Sequence, residues 1–325
     1  MCCVDISDLL LIKDLKEYML ILILAHLLDF VYPFHKGLLL KIHPVHTSYF
    51  MALRLGKPYS SKIRGVLVWL LVVSSHLIIY ALAIIISGVI NRLIWILVLS
   101  YVLKTSISLK LLIDIVHNVG KCFEKRDIEC ARYWTQQIVR RDVYKLDERH
   151  VASASIESLA ESLVDGYISP LFYFIFLGPL GALFQRIVNT LDGALGYKNE
   201  RYREVGWFSA FMDTLLNYVP ARITALLIII LSPINKRSIR ESYEIWRRDH
   251  DKTESINAGH PMSAMAGSLG VILEKPGYYR LGEDLVEEPY HILIKKAIRI
   301  SLLVVMIFFI IIIIMRTLIT ILISL

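Results

Sequence analysis

The chain has 325 residues, 56% of them hydrophobic, and a formal net charge of +7 at pH 7. A soluble domain has no use for a run such as 302–315, where every residue is apolar, so the composition predicts an all-α integral membrane protein, because lipid offers no partner to unpaired backbone groups. The positive charge is not a nucleic-acid footprint, since no basic stripe is interleaved with stacking aromatics; it fits basic loops beside the anionic lipid of a bilayer.

Residues 1–17 carry Asp5, Asp8, Asp14 and Glu17 ahead of the first apolar run. A secretory leader would start basic and end in small residues, so no cleavage is expected. Four segments predict full transmembrane helices. Segment 18–32 is short but extendable, and 66–90 is long enough to cross with tilt. Segment 93–112 follows after only Asn91-Arg92, which makes a helical hairpin. Segment 300–325 contains Arg316, which either snorkels to the headgroups or pairs inside the protein.

Two other apolar segments predict broken or re-entrant helices that shape a pocket. One is 168–188, interrupted by Pro170 and by Gly178-Pro179-Leu180-Gly181; the other is the short stretch 221–234. Orientation follows from the loop 34–65, which holds Lys36, Lys41, Arg54, Lys57, Lys62 and Arg64 and no acidic residue. That loop is expected in the cytoplasm, with the N-terminus outside. The polar segments 114–167 and 236–299 then become cytoplasmic parts of a single polytopic membrane domain, 1–325. If 168–188 re-enters, the polar stretch at Asn189 joins them there. The mixed charges of 120–150 read as a solvated helical face.

Cys2, Cys3, Cys122 and Cys130 form no C-x-x-C pair, and no histidine cluster accompanies them at zinc spacing. Reduced thiols are expected.

Polar groups crowd into three places. Glu157, Glu161 and Asp165 are spaced four apart and fan over roughly 80° of one helix face. Like charges so placed repel in water and become useful when a magnesium ion or a substrate ammonium sits among them. The bland alternative is an acidic stripe facing solvent. In 189–202, Asn189, Asp192, Asn199 and Glu200 offer oxygens, while Lys198 and Arg201, with Arg203 and Arg222 further on, offer cations. That mixture suits a magnesium-bound phosphate, and Gly193, Gly196 and Gly206 permit turns close to a ligand. The alternative is a polar loop between helices. Asp213 and Asn217 form a same-face pair ahead of Pro220-Ala221-Arg222. The small-residue stretch from Asn257 to Gly267 reads first as close helix packing and second as a cradle for a flat ligand. Asp29 and His43-Pro44 read as interfacial polar anchors. Neither a Walker loop nor a kinase signature occurs.

In order along the chain stand His43-Pro44-Val45, Arg140-Arg141-Asp142 and Glu157-Ser158-Leu159-Ala160-Glu161 with Asp165-Gly166. There follow Asn189-Thr190-Leu191-Asp192, Gly196-Tyr197-Lys198-Asn199-Glu200-Arg201-Tyr202, Leu215-Leu216-Asn217-Tyr218 with Pro220-Ala221-Arg222, and Asn257-Ala258-Gly259 with Ala264-Met265-Ala266-Gly267. From Asp29 to about Gly282 this resembles the adenosylcobinamide-phosphate synthase family of cobalamin biosynthesis, the CobD/CbiB-like membrane proteins. The family often has Asn-Thr where this chain has Ser162-Leu163, an aspartate at the place of Thr214, and an aromatic at the place of His260.

The resemblance implies an ATP-dependent amide ligase that joins adenosylcobyric acid to aminopropanol phosphate, with its active site facing the cytoplasm. Amide formation at neutral pH needs an activated carboxylate, magnesium and cations on the transferring phosphoryl group, and a base for the amine proton. In that light Glu157, Glu161, Asp165 and Asp192 hold metal or amine, and Lys198, Arg201 and Arg222 bind phosphate. Asn189, Asn199, Glu200, Tyr202, Asp213, Asn217 and Asn257 complete the substrate-binding set, and the small-residue Asn257 region cradles the corrinoid. Two other classes fit parts of the pattern. A magnesium-dependent membrane prenyltransferase would show aspartate-rich motifs on two helices, and a corrinoid transporter would show inverted repeats.

Overall fold

The computed structural model describes residues 9–10 and 12–324, with side chains to Leu322; Cys2, Cys3, Asp5 and Asp8 lie outside them. The helices are α1 Leu15–Val31, α2 Gly37–Lys41, α3 Pro44–Leu55, α4 Lys62–Ile90, α5 Arg92–Ser106, α6 Leu109–Glu124, α7 Ile128–Gln136, α8 Glu148–Leu163, α9 Ser169–Leu195, α10 Trp207–Ile230, α11 Ile239–Asp249, α12 Gly259–Leu269 and α13 Tyr290–Ser324. A π-helical turn, Val164–Ile168, joins α8 to α9. Strands β1 Ile272–Lys275 and β2 Tyr279–Gly282 form one antiparallel hairpin, in which Leu273 faces Leu281. Helix starts are fixed by side-chain caps. Asp14, Ser61, Asp127 and Asp147 each accept backbone N–H groups of the first turn, which otherwise have no partner.

Among the described residues five stretches of helix are long and apolar enough to cross a membrane: Lys62–Ile90, Arg92–Glu124, Glu148–Leu195, Trp207–Ile230 and Tyr290–Leu322. The protein is an all-α, multi-pass membrane protein, with the small hairpin as its only strand structure among the described residues. The expected hairpin of 66–90 and 93–112 forms, with Asn91 alone as the link. Its Oδ1 accepts the Leu93 N–H at 2.7 Å, capping the helix it begins. The second helix of that pair stops at Ser106 and restarts at Leu109, with Ile107 extended. Of the segments expected to stop half-way across, 168–188 instead lies within a helix of spanning length, and 221–234 begins as the last part of another, Trp207–Ile230, and ends in a 3-10 turn, Ser232–Asn235. The expected interruption of 168–188 is real but local. Gly178 adopts φ 64°, and Pro179, which has no N–H to donate, follows it.

The backbone contacts gather into two compact units. The first comprises residues 1–108, 169–216 and 310–325. In it α9 packs on α3, α4 and α5, and α5 packs on α1 and α4. Trp95, Leu99 and Leu103 are fully enclosed, and Tyr18 stacks on Phe174 with ring centres 4.4 Å apart. Arg316 pairs inside the protein: its guanidinium lies over the Tyr18 ring at 4.9 Å and donates to the Ile12 carbonyl.

The second unit comprises residues 109–168 and 217–309. Here α12 packs on α8 and α11, the hairpin packs on α8 and α12, and α6 packs on α7 and α8. Asp249, fully buried at the end of α11, binds Arg248 at 2.8 Å, Lys252 at 2.5 Å and the Gly282 N–H at 2.7 Å, and so ties α11 to β2. Burial alone would raise its pKa; the hydrogen bonds from Arg248, Lys252 and Gly282 outweigh it and hold the carboxyl at about 2. Cys122 and Cys130 are joined as a disulfide with Cα atoms 5.6 Å apart, contrary to the expectation of free thiols. The tight turn between α6 and α7, closed by the Asp127 cap, brings two cysteines eight residues apart into bonding distance.

Candidate functional site

In the second unit α8 carries Glu157 to the buried side and Glu161 to the exposed side. Glu157 is 5% exposed and its carboxylate is already engaged. Ser153 Oγ donates to it at 2.5 Å, Tyr279 Oη at 2.6 Å, and Arg141 Nη2 at 3.2 Å. Ser153 in turn accepts the Glu274 N–H at 2.7 Å. Burial and then the Glu157 charge push the Tyr279 hydroxyl far above its ordinary pKa, so it remains a donor. This arrangement fastens α8 to the hairpin. The expected stripe of three equivalent carboxylates therefore divides. Glu157 is an anchored structural carboxylate, while Glu161 is exposed and Asp165 half-buried in the π turn.

Asn217, 1% exposed on α10, donates from Nδ2 to Asp165 Oδ1 at 3.1 Å. Five residues on, Arg222 lies over the Tyr218 ring with its Cζ 3.4 Å from the ring centre, donates to the Tyr218 carbonyl at 2.7 Å and donates to Asn257 Oδ1 at 3.4 Å. The guanidinium is thus held at three points, the ring and two oxygens, which suits a fork for phosphate or carboxylate oxygens. Trp246 Nε1 donates to His260 Nδ1 at 3.1 Å, so the His260 proton sits on Nε2. Burial, then the charges of Arg222 and His250, lower its pKa to about 4. The stretch after Asn257 is no cradle. Every residue of α12 is buried, and a Cβ at Gly267 would fall 3.0 Å from the Ser242 backbone. The small residues serve the close packing of α12 on α11.

In the first unit the stretch 189–202 also divides. Asn189, on the last turns of α9, donates from Nδ2 to Asp213 Oδ1 at 3.1 Å and accepts from Arg186 Nη1 at 3.5 Å. Arg186 Nη2 reaches Ser108 Oγ at 3.5 Å. Asp192 is half-buried, and a Cβ at Gly196 would fall 1.8 Å from its Oδ1. Lys198, Asn199, Glu200 and Arg201 are exposed on the loop that follows, with Tyr202 half-buried. Asn199 Oδ1 accepts the Tyr202 N–H at 3.2 Å, and the Arg201 carbonyl accepts the Tyr59 N–H at 2.7 Å. Gly206 serves close backbone packing rather than ligand approach, since a Cβ there would lie 1.9 Å from the Leu195 carbonyl.

Sequence reasoning passed over Tyr279, Lys104, His35 and Arg186, and used Arg141 only as part of a family motif, with no role of its own. Lys104 carried a readable signal, a lysine at the end of an apolar run, and Arg186 stands one helical turn before Asn189. The partnership of Arg141 and Tyr279 with Glu157 joins residues far apart in sequence and left no local trace. Among the described residues no three His, Cys, Asp or Glu groups lie close enough to hold a metal ion.

A family model described as CobD/Cbib protein matches residues 22–304. The chain belongs to this family. It is 47% identical over 253 residues to a probable cobalamin biosynthesis protein CobD of Aeropyrum pernix, covering 78% of this chain and 79% of that protein. It is 45% identical over 206 residues to a probable cobalamin biosynthesis protein CobD of Thermococcus kodakarensis, covering 63% and 65%. A cobalamin biosynthesis protein CobD of Dehalococcoides mccartyi is 39% identical over 196 residues, covering 60% and 63%. No solved structure matches the chain. The family places the protein in cobalamin biosynthesis.

Proposed function

We propose that the protein is an ATP-dependent amide ligase that joins the propionate carboxylate of adenosylcobyric acid to the amine of aminopropanol phosphate. The observation that supports this reading best is the presence, in one unit of a cobalamin-biosynthesis membrane protein, of an amide-anchored carboxylate and a guanidinium held against a tyrosine ring. Asp165 is held by Asn217, and Arg222 lies over Tyr218 within reach of Asn257. A carboxylate offers oxygen, as magnesium prefers. Magnesium commonly uses one or two carboxylates, water and substrate phosphate, so a ready-made cage of three protein ligands is not required.

In this reading Asp165 and Glu161 are the carboxylates that hold magnesium or the amine, and Arg222 holds phosphate. Bound ATP and magnesium would supply phosphoryl activation of the substrate carboxylate. The residues then orient the amine, and Asp165 takes the proton released as the C–N bond forms. In the balance one carboxylate oxygen leaves with phosphate, and ATP becomes ADP. The basic, acid-free loop 34–65 supports a cytoplasmic face for this chemistry, where ATP is available.

The test is direct. Purified protein in detergent, given ATP, magnesium, adenosylcobyric acid and aminopropanol phosphate, should release ADP and a corrinoid product carrying one new amide. A folded, corrinoid-binding protein that makes no amide with this or any related amine overturns the reading.

A further inference from the structure

The first unit holds a buried polar cluster that the proposed chemistry does not use. His35, in the turn after α1, is 5% exposed, and Lys104, near the end of α5, is 3% exposed. Lys104 Nζ lies 3.3 Å from His35 Nδ1. An ammonium can only donate, so His35 Nδ1 accepts and the ring proton sits on Nε2. That Nε2–H is buried and has no partner among the described residues. The edges of Tyr32 and Tyr101 close around the ring, and the Tyr101 hydroxyl is likewise buried without a partner among the described residues.

The His43 ring lies 4.3 Å from that of His35. His43 caps α3, its Nδ1 accepting the Val45 N–H at 3.3 Å, so its proton also sits on Nε2. Asp29, 4% exposed, is close enough for its charge to act on Lys104, and the Arg186 charge acts on His43. Arg186 in turn reaches Ser108 and Asn189, the latter bonded to Asp213.

Two cations and two buried, unanswered donors thus lie around two neighbouring imidazoles. Leaving a buried donor without a partner is costly, and a cluster that keeps two is built for something that accepts them. We propose that His35, His43, Tyr101, Lys104 and Arg186 form a binding site for a phosphate monoester. The phosphoryl group brings three strong acceptor oxygens and nearly two negative charges, enough to answer the donors and cations together. Burial, followed by the charge of Lys104, holds His35 at about 4. Burial, followed by His35, Lys104, Arg186 and His46, holds His43 at about 3. Both rings are therefore neutral donors at neutral pH until an anion arrives. The site stands whether or not the ligase reading holds.

Binding is measured without ATP, so that capture of phosphate and amide formation fail independently. The purified protein in detergent is titrated with inorganic phosphate, with aminopropanol phosphate and with 1-amino-2-propanol, following the unfolding temperature. In parallel, nanodiscs with or without phosphatidic acid, itself a phosphate monoester, are scored for retained lipid. The two phosphates should raise the unfolding temperature saturably and the unphosphorylated amine should not. Retention of phosphatidic acid, displaced by soluble phosphate, would identify lipid as a source of the same group. Lys104→Gln and Arg186→Gln should each weaken binding at least tenfold. His43→Asn keeps a capping acceptor but loses the imidazole donor, and it extends the test should Lys104→Gln not fold. No binding of any phosphate monoester, or binding unchanged in the folded variants, overturns the proposal.

Discussion

Tyr279 donates a 2.6 Å hydrogen bond to Glu157, so a strand residue fastens the helix whose next turn carries Glu161. Because Arg141 and Ser153 hold the same carboxylate, Glu157 is expected to matter for stability before it matters for chemistry. Tyr279→Phe should cost about 1–3 kcal/mol through the lost bond and leave the rate per folded molecule nearly unchanged. Glu157→Gln should cost about 3 kcal/mol, the low end for a broken buried pair, since Arg141 keeps some exposure. Unfolding midpoints and amide formation in one detergent test both. A Tyr279→Phe protein of normal stability and no activity would move Glu157 into the reaction.

Asp165 and Glu161 divide the remaining burden. Asp165→Asn should lower kcat at least a hundredfold, about 2.7 kcal/mol of barrier, while the protein stays folded. Glu161→Gln should also lower activity, and extra magnesium should partly restore it if the lost charge belonged to a metal site. Activity of both variants within tenfold of the parent would return the helix to a solvated acidic stripe.

Hydrophobic runs made the membrane class and most helices legible, because apolar length alone decides whether a segment suits lipid. The spacing of Glu157, Glu161 and Asp165 placed them on one helix, but spacing does not report which side is buried. That depended on Arg141 and on the hairpin bearing Tyr279, whose approach is tertiary. Segment 168–188 looked broken because Pro170 and Gly178-Pro179-Leu180-Gly181 interrupt it, and 221–234 looked short because Arg222 and Lys236 bound it. The helices nevertheless continue past the prolines, absorbing the lost N–H donors at a kink and near a helix start. Segment 189–202 read as one site because its composition is uniform, whereas the end of α9 at Leu195 turns Asn189 inward and leaves Lys198 to Arg201 in solvent.

The Cys122–Cys130 bridge closes a short loop between α6 and α7. Constraining a loop of this size is worth about 2.5 kcal/mol in the chain-entropy account. Cys122→Ser should lower the unfolding midpoint, and dithiothreitol should lower the parent's midpoint to match. Cys130 should react with maleimide only after reduction. Rapid labelling without reductant, or a variant of parental stability, would count against the bridge.

Asp249 gives the second unit a defined response to acid. Its carboxyl ionises at about 2 in the folded protein against an ordinary value of 3.8. A group whose pKa is lower folded than unfolded contributes stability that is complete above the unfolded value and disappears as pH falls through the folded one. The contribution, roughly 2 kcal/mol at neutral pH, should therefore be full above about pH 4 and drain away between pH 4 and pH 2. Asp249→Asn cannot titrate, and it leaves Arg248 and Lys252 without their shared carboxylate. The variant should be less stable than the parent at pH 7, and the gap between the two should narrow steadily below pH 4. Unfolding temperatures of both proteins measured across this range decide it. A gap that stays constant down to pH 2 would mean that the carboxyl's charge contributes nothing and that Asp249 holds Gly282 by shape alone.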